Sequence, residues 1–201
     1  MKEFSFCDDA WLGCHNEDRW IFNKLELARR LGYKAGPAGL AVQEKGEYIV
    51  RPCINIKGMG RSAKVYFLNK ETNHLPDGSF WCERFYGRHY SVDYQNEKQI
   101  LTVEGKRKKE NKDVLYKWAS WEIIDKDIPP PEIIMPLFKK YKTINVEFIE
   151  DKIIEIHLRG NQDFKNGIKK IYPVWREDGI STVTKNFIED KDWKRLGFIF
   201  E

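Results

Sequence analysis

Four residues near the centre of the C-terminal half have the types and spacing to do chemistry: Glu147, Glu155, His157 and Arg159. They fall in the stretch Ile144–Asn161, INVEFIEDKIIEIHLRGN. Asn145 to Ile149 and Ile153 to Arg159 are β-prone runs joined by the polar triplet Glu150-Asp151-Lys152, the pattern of a β-hairpin. Side chains alternate between faces along a strand. Ile154, Ile156 and Leu158 should share one face, and Glu155, His157 and Arg159 the other. Val146 and Phe148 separate in the same way from Asn145 and Glu147. A three-residue loop sets apolar against apolar, with Glu147 opposite Glu155 and Asn145 opposite His157. The two carboxylates would then stand roughly 5 Å apart between Cβ atoms. Unbridged, they repel; bridged by a divalent cation, they form a hard-ligand site. The alternative is a half-exposed hairpin whose polar face meets water.

Two other stretches could handle charge. Lys57-Gly58-Met59-Gly60-Arg61-Ser62-Ala63 lies between β-prone runs at Glu47–Ile54 and Lys64–Leu68. Glycine lets backbone N–H groups approach phosphate oxygens, and Arg61 offers a fork of charged donors. The same loop also reads as an ordinary hairpin turn. The run Gly105-Lys106-Arg107-Lys108-Lys109-Glu110-Asn111-Lys112 could attract phosphate or nucleic acid, or be a solvated basic turn. Cys7, Cys14, Cys53 and Cys82 show no CxxC pairing and no zinc-finger His. They read as free thiols in a reducing compartment, with Cys7, Cys14 and His15 the one weak metal candidate.

The elements that must position these groups follow from pattern. The chain has 201 residues, 41% hydrophobic and 33% charged, the composition of a globular protein. A net charge of +4 with both signs mixed argues against a protein built mainly to neutralise nucleic-acid backbone. No apolar run is long enough to span a membrane, and the start MKEFSFCDDAWLG places acids where a signal core would run. Residues 1–19 have no clear period. From Trp20 to Leu31 the apolar spacing predicts an amphipathic helix closed by Gly32. Strands are predicted at 47–54, 64–68, 80–94 with a break at Gly87, 99–104 and 115–124. Pro129-Pro130-Pro131 is a stiff connector, and Glu132 to Tyr141 suits a short helix weakened by Pro136. Residues 163–201 are mixed and suggest no function.

Taken in order, these segments resemble the ATP-grasp superfamily, from about Trp20 to Asn161. Asn23-Lys24, opening a helix that ends in Gly32-Tyr33, is similar to the family's "DK…G" segment. Arg51-Pro52, followed by Gly58-Met59-Gly60-Arg61, resembles the strand with the phosphate-binding cation and the flexible glycine loop after it. Trp81 to Asp93, WCERFYGRHYSVD, looks like the hinge "E-[KEF]-[FY]-x-G-x-E-x-S-V-D", with His89 where a ribose-binding Glu usually stands. The hairpin is similar to "[DE]…E-x-N-x-R", with His157 in place of Asn.

The resemblance implies an α+β fold: two small lobes of mainly antiparallel sheet flanked by helices, with a nucleotide cleft between them. The lobes would be 20–94 and 95–201, after an N-terminal segment 1–19. It implies ATP and Mg²⁺ (or Mn²⁺) as cofactors. Lys24, Arg51, Gly58, Gly60, Ser62, Glu83, Arg84, Phe85 and His89 would bind the nucleotide, and Glu147, Glu155 and His157 the metal. Arg159 and Arg61 would stabilise the transferred phosphoryl group. Imidazole is a poor Mg²⁺ ligand, so His157 could act instead as a further cation beside the phosphates. The implied activity is a carboxylate ligase: a carboxylate takes the γ-phosphate to give an acylphosphate, which an amine or thiol then displaces. Family enzymes carry an α/β domain before the "DK" block, whereas some twenty residues precede Lys24 here. A partner protein or second copy would then complete the acceptor site, in a cytoplasmic setting. Two other classes stay open: a non-catalytic nucleotide-binding or interaction module, favoured by His89 and His157, and a nucleic-acid-associated protein, suggested by Lys106–Lys109.

Overall fold

A computed structural model describes residues 1–54, 62–71, 73–108, 114–164, 167–178, 186–192 and 194–201. Short helices come first. Helix α1 (Cys7–Gly13) is followed by a 3₁₀ segment (Asn16–Phe22) and then helix α2 (Lys24–Arg30). The helix expected from Trp20 therefore starts at Lys24. Asn23 is extended and its side chain accepts from the Glu26 amide, an N-cap that separates the two segments.

The first sheet holds β1 (Ala35–Pro37), β2 (Gly46–Pro52), β3 (Lys64–Leu68) and β4 (Ser79–Glu83), in the order β1-β4-β2-β3. After a turn at 84–88 the chain enters an eight-stranded sheet. Its strands are β5 (His89–Gln95), β6 (Lys98–Lys106), β7 (Ser120–Ile123), β8 (Thr143–Ile149), β9 (Lys152–His157), β10 (Lys170–Trp175), β11 (Phe187–Asp192) and β12 (Arg195–Phe200). They lie in the order β11-β12-β10-β7-β6-β5-β8-β9, and every named pair in both sheets is antiparallel. The α+β architecture of two antiparallel sheets with helices is the one expected. β5 joins the larger sheet, so the sheets divide across residues 84–88 rather than after Tyr94.

Alternation decides which face of the larger sheet is core. Tyr90, Val92 and Tyr94 of β5 are fully buried with Val146, Phe148, Ile156 and Leu158. The unpatterned N-terminus supplies Ala10 and Cys14 to the same core, and the run that follows it supplies Ile21 and Phe22. Residues 1–19 thus contribute to the core under the larger sheet. Glu132–Lys139 is a 3₁₀ helix containing Pro136, which lacks the N–H for an α-helical bond; Ile134, Leu137 and Phe138 close the core's other side. Of the strand expected at 115–124, only Ser120–Ile123 pairs. Among the described residues no helix is long and apolar enough to cross a membrane.

The hairpin differs from expectation in one instructive way. Glu147 pairs with Glu155 and Asn145 with His157, as the polar pattern demands. The loop is shorter, with Ile149 opposite Lys152 and Glu150 at φ 52°. A bulge between Glu147 and Phe148 absorbs the difference: Phe148 faces Ile153, and Ile154 is the extra residue. Ile153 therefore enters the core, and Ile154 turns to the cleft.

The 84–88 turn is pinned to this loop. Glu150 accepts from the Arg88 amide at 2.7 Å, and its own amide donates to the Arg88 carbonyl at 2.8 Å. Gly87 sits at φ 126°, and a Cβ there would meet Glu150 Cγ at 2.2 Å. Gly87→Ala should cost about 1–3 kcal/mol, read as a lower urea midpoint at unchanged slope.

Candidate functional site

The two sheets face each other across a cleft of about 980 Å³. Its floor is the face of the larger sheet opposite the core, where β8 and β9 present Glu147, Glu155 and His157. Lys24 reaches it from the start of α2, Arg51 from β2, Glu83 from the end of β4 and His89 from the start of β5.

These groups form one ionic cluster. Lys24 Nζ lies 3.1 Å from Glu155 Oε2, and both residues are more than nine-tenths buried. His157 Nε2 lies 3.3 Å from Glu155 Oε1 and 3.6 Å from Glu147 Oε1. His89 Nε2 meets Glu147 Oε2 at 3.1 Å. Arg51 donates to the carbonyl of Ile154, the bulge residue on the edge strand β9, at 3.0 Å. Burial opposes charge on both carboxyls but is outweighed. Bonds from His157 and His89 hold Glu147 well below the usual range, and the charges of Lys24, His157 and Arg51 hold Glu155 below it. Burial likewise opposes charge on His157. Glu155, Cys7 and Glu147 more than offset it and push the imidazole up to about 10, so it is protonated at neutral pH.

The donor set fits a hard divalent cation on Glu147 and Glu155. Both are carboxylates aimed at one cleft, and among the described residues Glu155 Oε1 is buried with no hydrogen bond, only the ionic contact with His157 Nε2. His157 does not complete a third corner: among the described residues no group of three or more His, Cys, Asp or Glu is disposed to hold a metal ion. As an imidazolium, His157 has no lone pair to give and serves as a cation between the acids.

The other expected residues are distributed as follows. Glu83 lines the cleft, and its Oε1 accepts from the Lys34 amide at 2.8 Å. The Arg84 side chain turns to Glu47 at 2.8 Å, and Phe85 packs on Tyr33 at 4.8 Å between ring centroids. Ser62 is exposed at φ 59° and does not line the cleft, although Ala63 does. Gly58, Gly60 and Arg61 lie outside the described residues. Arg159 lines the cleft and donates from Nε to Cys7 Sγ at 3.1 Å.

Cys7 and Arg107 line the cleft in positions that the sequence did not assign to it. Cys7 Sγ lies 3.5 Å from His157 Nδ1; burial opposes its ionisation, but His157 and Arg159 outweigh burial and lower the thiol's pKa. Nothing in the sequence marks a lone cysteine 150 residues from its partner. The expected grouping with Cys14 and His15 does not form, since Cys14 Sγ instead contacts the Trp11 carbonyl at 3.5 Å. Arg107 belongs to the run read as a basic turn. Lys106 does face solvent and pairs with Glu122, whereas Arg107 turns into the cleft.

No protein-family model and no curated protein matches this sequence. Among solved structures, the chain is similar to a protein from Archaeoglobus fulgidus provisionally assigned to the ATP-grasp superfamily. That alignment covers 90% of this chain and 64% of the other, at 14% identity and a TM-score of 0.46. It is also similar to the ATP-grasp ligase PsnB, solved with a minimal precursor, over 70% of this chain and 51% of the other, at 11% identity and a TM-score of 0.37. The chain thus spans less than two thirds of the length of either.

Proposed function

We propose that this chain is an ATP- and Mg²⁺-dependent carboxylate ligase of the ATP-grasp type, acting through an acylphosphate. What supports the reading is convergence. Lys24, Arg51, the Glu83–Phe85 turn and the hairpin from Glu147 to Arg159 come from four separate stretches and line one cleft. Phosphoryl transfer asks the protein mainly for alignment and charge neutralisation, and this cluster is rich in both. Lys24 and Arg51 hold the nucleotide's phosphates. Glu83 and the backbone of Arg84 and Phe85 hold the base. Arg159 stands beside the carboxylates to receive charge on the transferred group. A divalent cation on Glu147 and Glu155 would neutralise charge shared by the β- and γ-phosphates. Lys24 would leave Glu155 to reach the phosphates, and Glu155 would then be free to turn to the cation.

The test has two arms. ATP with Mg²⁺ at a hundredfold excess over its dissociation constant should stabilise the protein by about 2.7 kcal/mol. Chelator, or Glu147→Gln with Glu155→Gln, should remove the metal-dependent part. With hydroxylamine as trap, an acylphosphate should yield a hydroxamate, dependent on both ATP and a carboxylate. No nucleotide producing a shift at millimolar concentration would sink the proposal.

One observation favours a second reading. Lys24 and the charged His157 already supply positive charge to both carboxylates. A fold that had given up its metal for side-chain cations would bind nucleotide as a non-catalytic module. That reading expects an ATP shift that survives chelator, with no hydroxamate.

A further inference from the structure

The cleft continues past the carboxylate pair, over strands that the ligase reading leaves unused. Its far end is walled by Trp118, Trp121, Trp175, Phe198 and Pro173. Trp121 stands on β7, Pro173 and Trp175 on β10 and Phe198 on β12. The Trp118 and Trp121 rings lie 4.6 Å apart, and both meet the His89 ring edge-on, at 4.7 and 5.2 Å. The Trp175 indole donates to the Trp118 carbonyl at 2.9 Å, which ties β10 to this wall. The Trp118 and Trp121 rings pack directly on the backbone of Gly105 of β6, where a Cβ would lie 2.9 Å from each ring.

Arg107 lies against this wall with most of its donors unspent. Its guanidinium stacks over Trp118, 3.8 Å from the ring centroid, and one nitrogen donates to the Leu115 carbonyl at 2.8 Å. Its Nε is buried with no hydrogen-bond partner, and no carboxylate among the described residues pairs with it. Burial and the nearby charge of Arg84 push its pKa down to about 10, against the pull of Glu147, so it stays charged at neutral pH. A guanidinium removed from water needs an anion, and stacking presents its fork ready for a bidentate one. The walls decide which anion. Flat rings and proline suit an apolar planar body better than a hydrated phosphate.

We propose that Arg107 and the tryptophan wall form a subsite for a small aromatic carboxylate, with the carboxylate on the Arg107 fork and the ring against Trp118, Trp121 and Trp175. Calling this ligand the acceptor rests on the ligase reading; the subsite itself does not. Phenylacetate is the probe, with acetate and 2-phenylethanol as controls that lack the ring and the charge. On the full chain, phenylacetate should saturably perturb tryptophan fluorescence, and each control should bind at least tenfold more weakly. Arg107→Gln should weaken phenylacetate binding at least tenfold and leave stabilisation by ATP with Mg²⁺ unchanged. If Arg107→Gln does not fold, Arg107→Lys, which keeps the charge but loses the fork, should show a severalfold loss. Equal phenylacetate binding by wild type and variant overturns the subsite. So does loss of ATP binding in Arg107→Gln with phenylacetate binding intact, which would make Arg107 a nucleotide residue. Arg107-dependent phenylacetate binding in a protein that no nucleotide stabilises would support the subsite and fail the ligase reading alone.

Discussion

Lys24→Met should destabilise the protein by about 3 kcal/mol, the low end of what removing one partner of a buried ion pair costs. The low end applies because Glu155 keeps His157 at 3.3 Å and the field of Arg51. Lys24→Met with Glu155→Leu should recover most of the loss, since neither charge then remains to be desolvated. Urea unfolding of the wild type, both single variants and the double variant closes the cycle and isolates the coupling. The outcome bears on function as well as fold. In the ligase reading, Lys24 is held on Glu155 until phosphate draws it away, so the same substitution should also weaken ATP binding. A stability change below about 1 kcal/mol, the range of an exposed pair, would mean that the buried pair does not form.

How far the site could be read in advance depended on what each residue's pattern encodes. Glu147 and Glu155 were legible because a strand's period of two, with one apolar face, admits a single register. The bulge at Ile154 was not, because Ile153 and Ile154 are identical in type and either could be the core residue. That one-residue choice turns Ile154 to the cleft, where its carbonyl accepts from Arg51. The N-cap at Asn23 was legible in principle, from Asn followed three residues later by Glu. The apolar run of Trp20-Ile21-Phe22 masked it, because a 3₁₀ turn and an α-helix bury such a run equally well. Cys7, Arg107 and the wall of Trp118, Trp121 and Trp175 were illegible for another reason. Cys7 meets His157 and Arg159 some 150 residues further on, and Arg107 and the tryptophans are brought together by the sheet order β12-β10-β7-β6-β5; no local period encodes either. The glycine loop at 58–60 falls outside the described residues, so the expectation there rests on the sequence alone.

The second large effect should come from Asn145, the hairpin's polar-face residue whose side chain bonds Ser91 and Asp93 rather than the ionic cluster. Its Nδ2 donates to Ser91 Oγ and Asp93 Oδ1, each at 2.7 Å, while Asp93 Oδ2 accepts from the Asn161 amide at 2.8 Å. Ser91, Asp93 and Asn145 are all at least nine-tenths buried. Asn145→Leu keeps the volume and removes the donor, leaving Asp93 ionised with one partner fewer. The expected cost is about 3 kcal/mol at neutral pH, the penalty for stranding a buried charged acceptor. Its pH dependence has a definite sign. Burial already holds the Asp93 carboxyl above the usual range, against the Asn161 and Asn145 bonds that lower it. Losing Asn145 raises it further, so the folded variant takes up a proton more readily than the unfolded chain. The deficit against wild type should be full above that folded-state pKa and shrink as pH falls through it, when Asp93 no longer carries a buried charge. A deficit that grows with acid would contradict this account. In the ligase reading, because Asp93 also holds the backbone just after Arg159, the variant should lose hydroxamate formation more than it loses ATP binding. In that reading nucleotide affinity rests on Lys24, Arg51 and Glu83, whereas alignment of the transferred group rests on Arg159, two residues before the Asn161 amide that Asp93 holds.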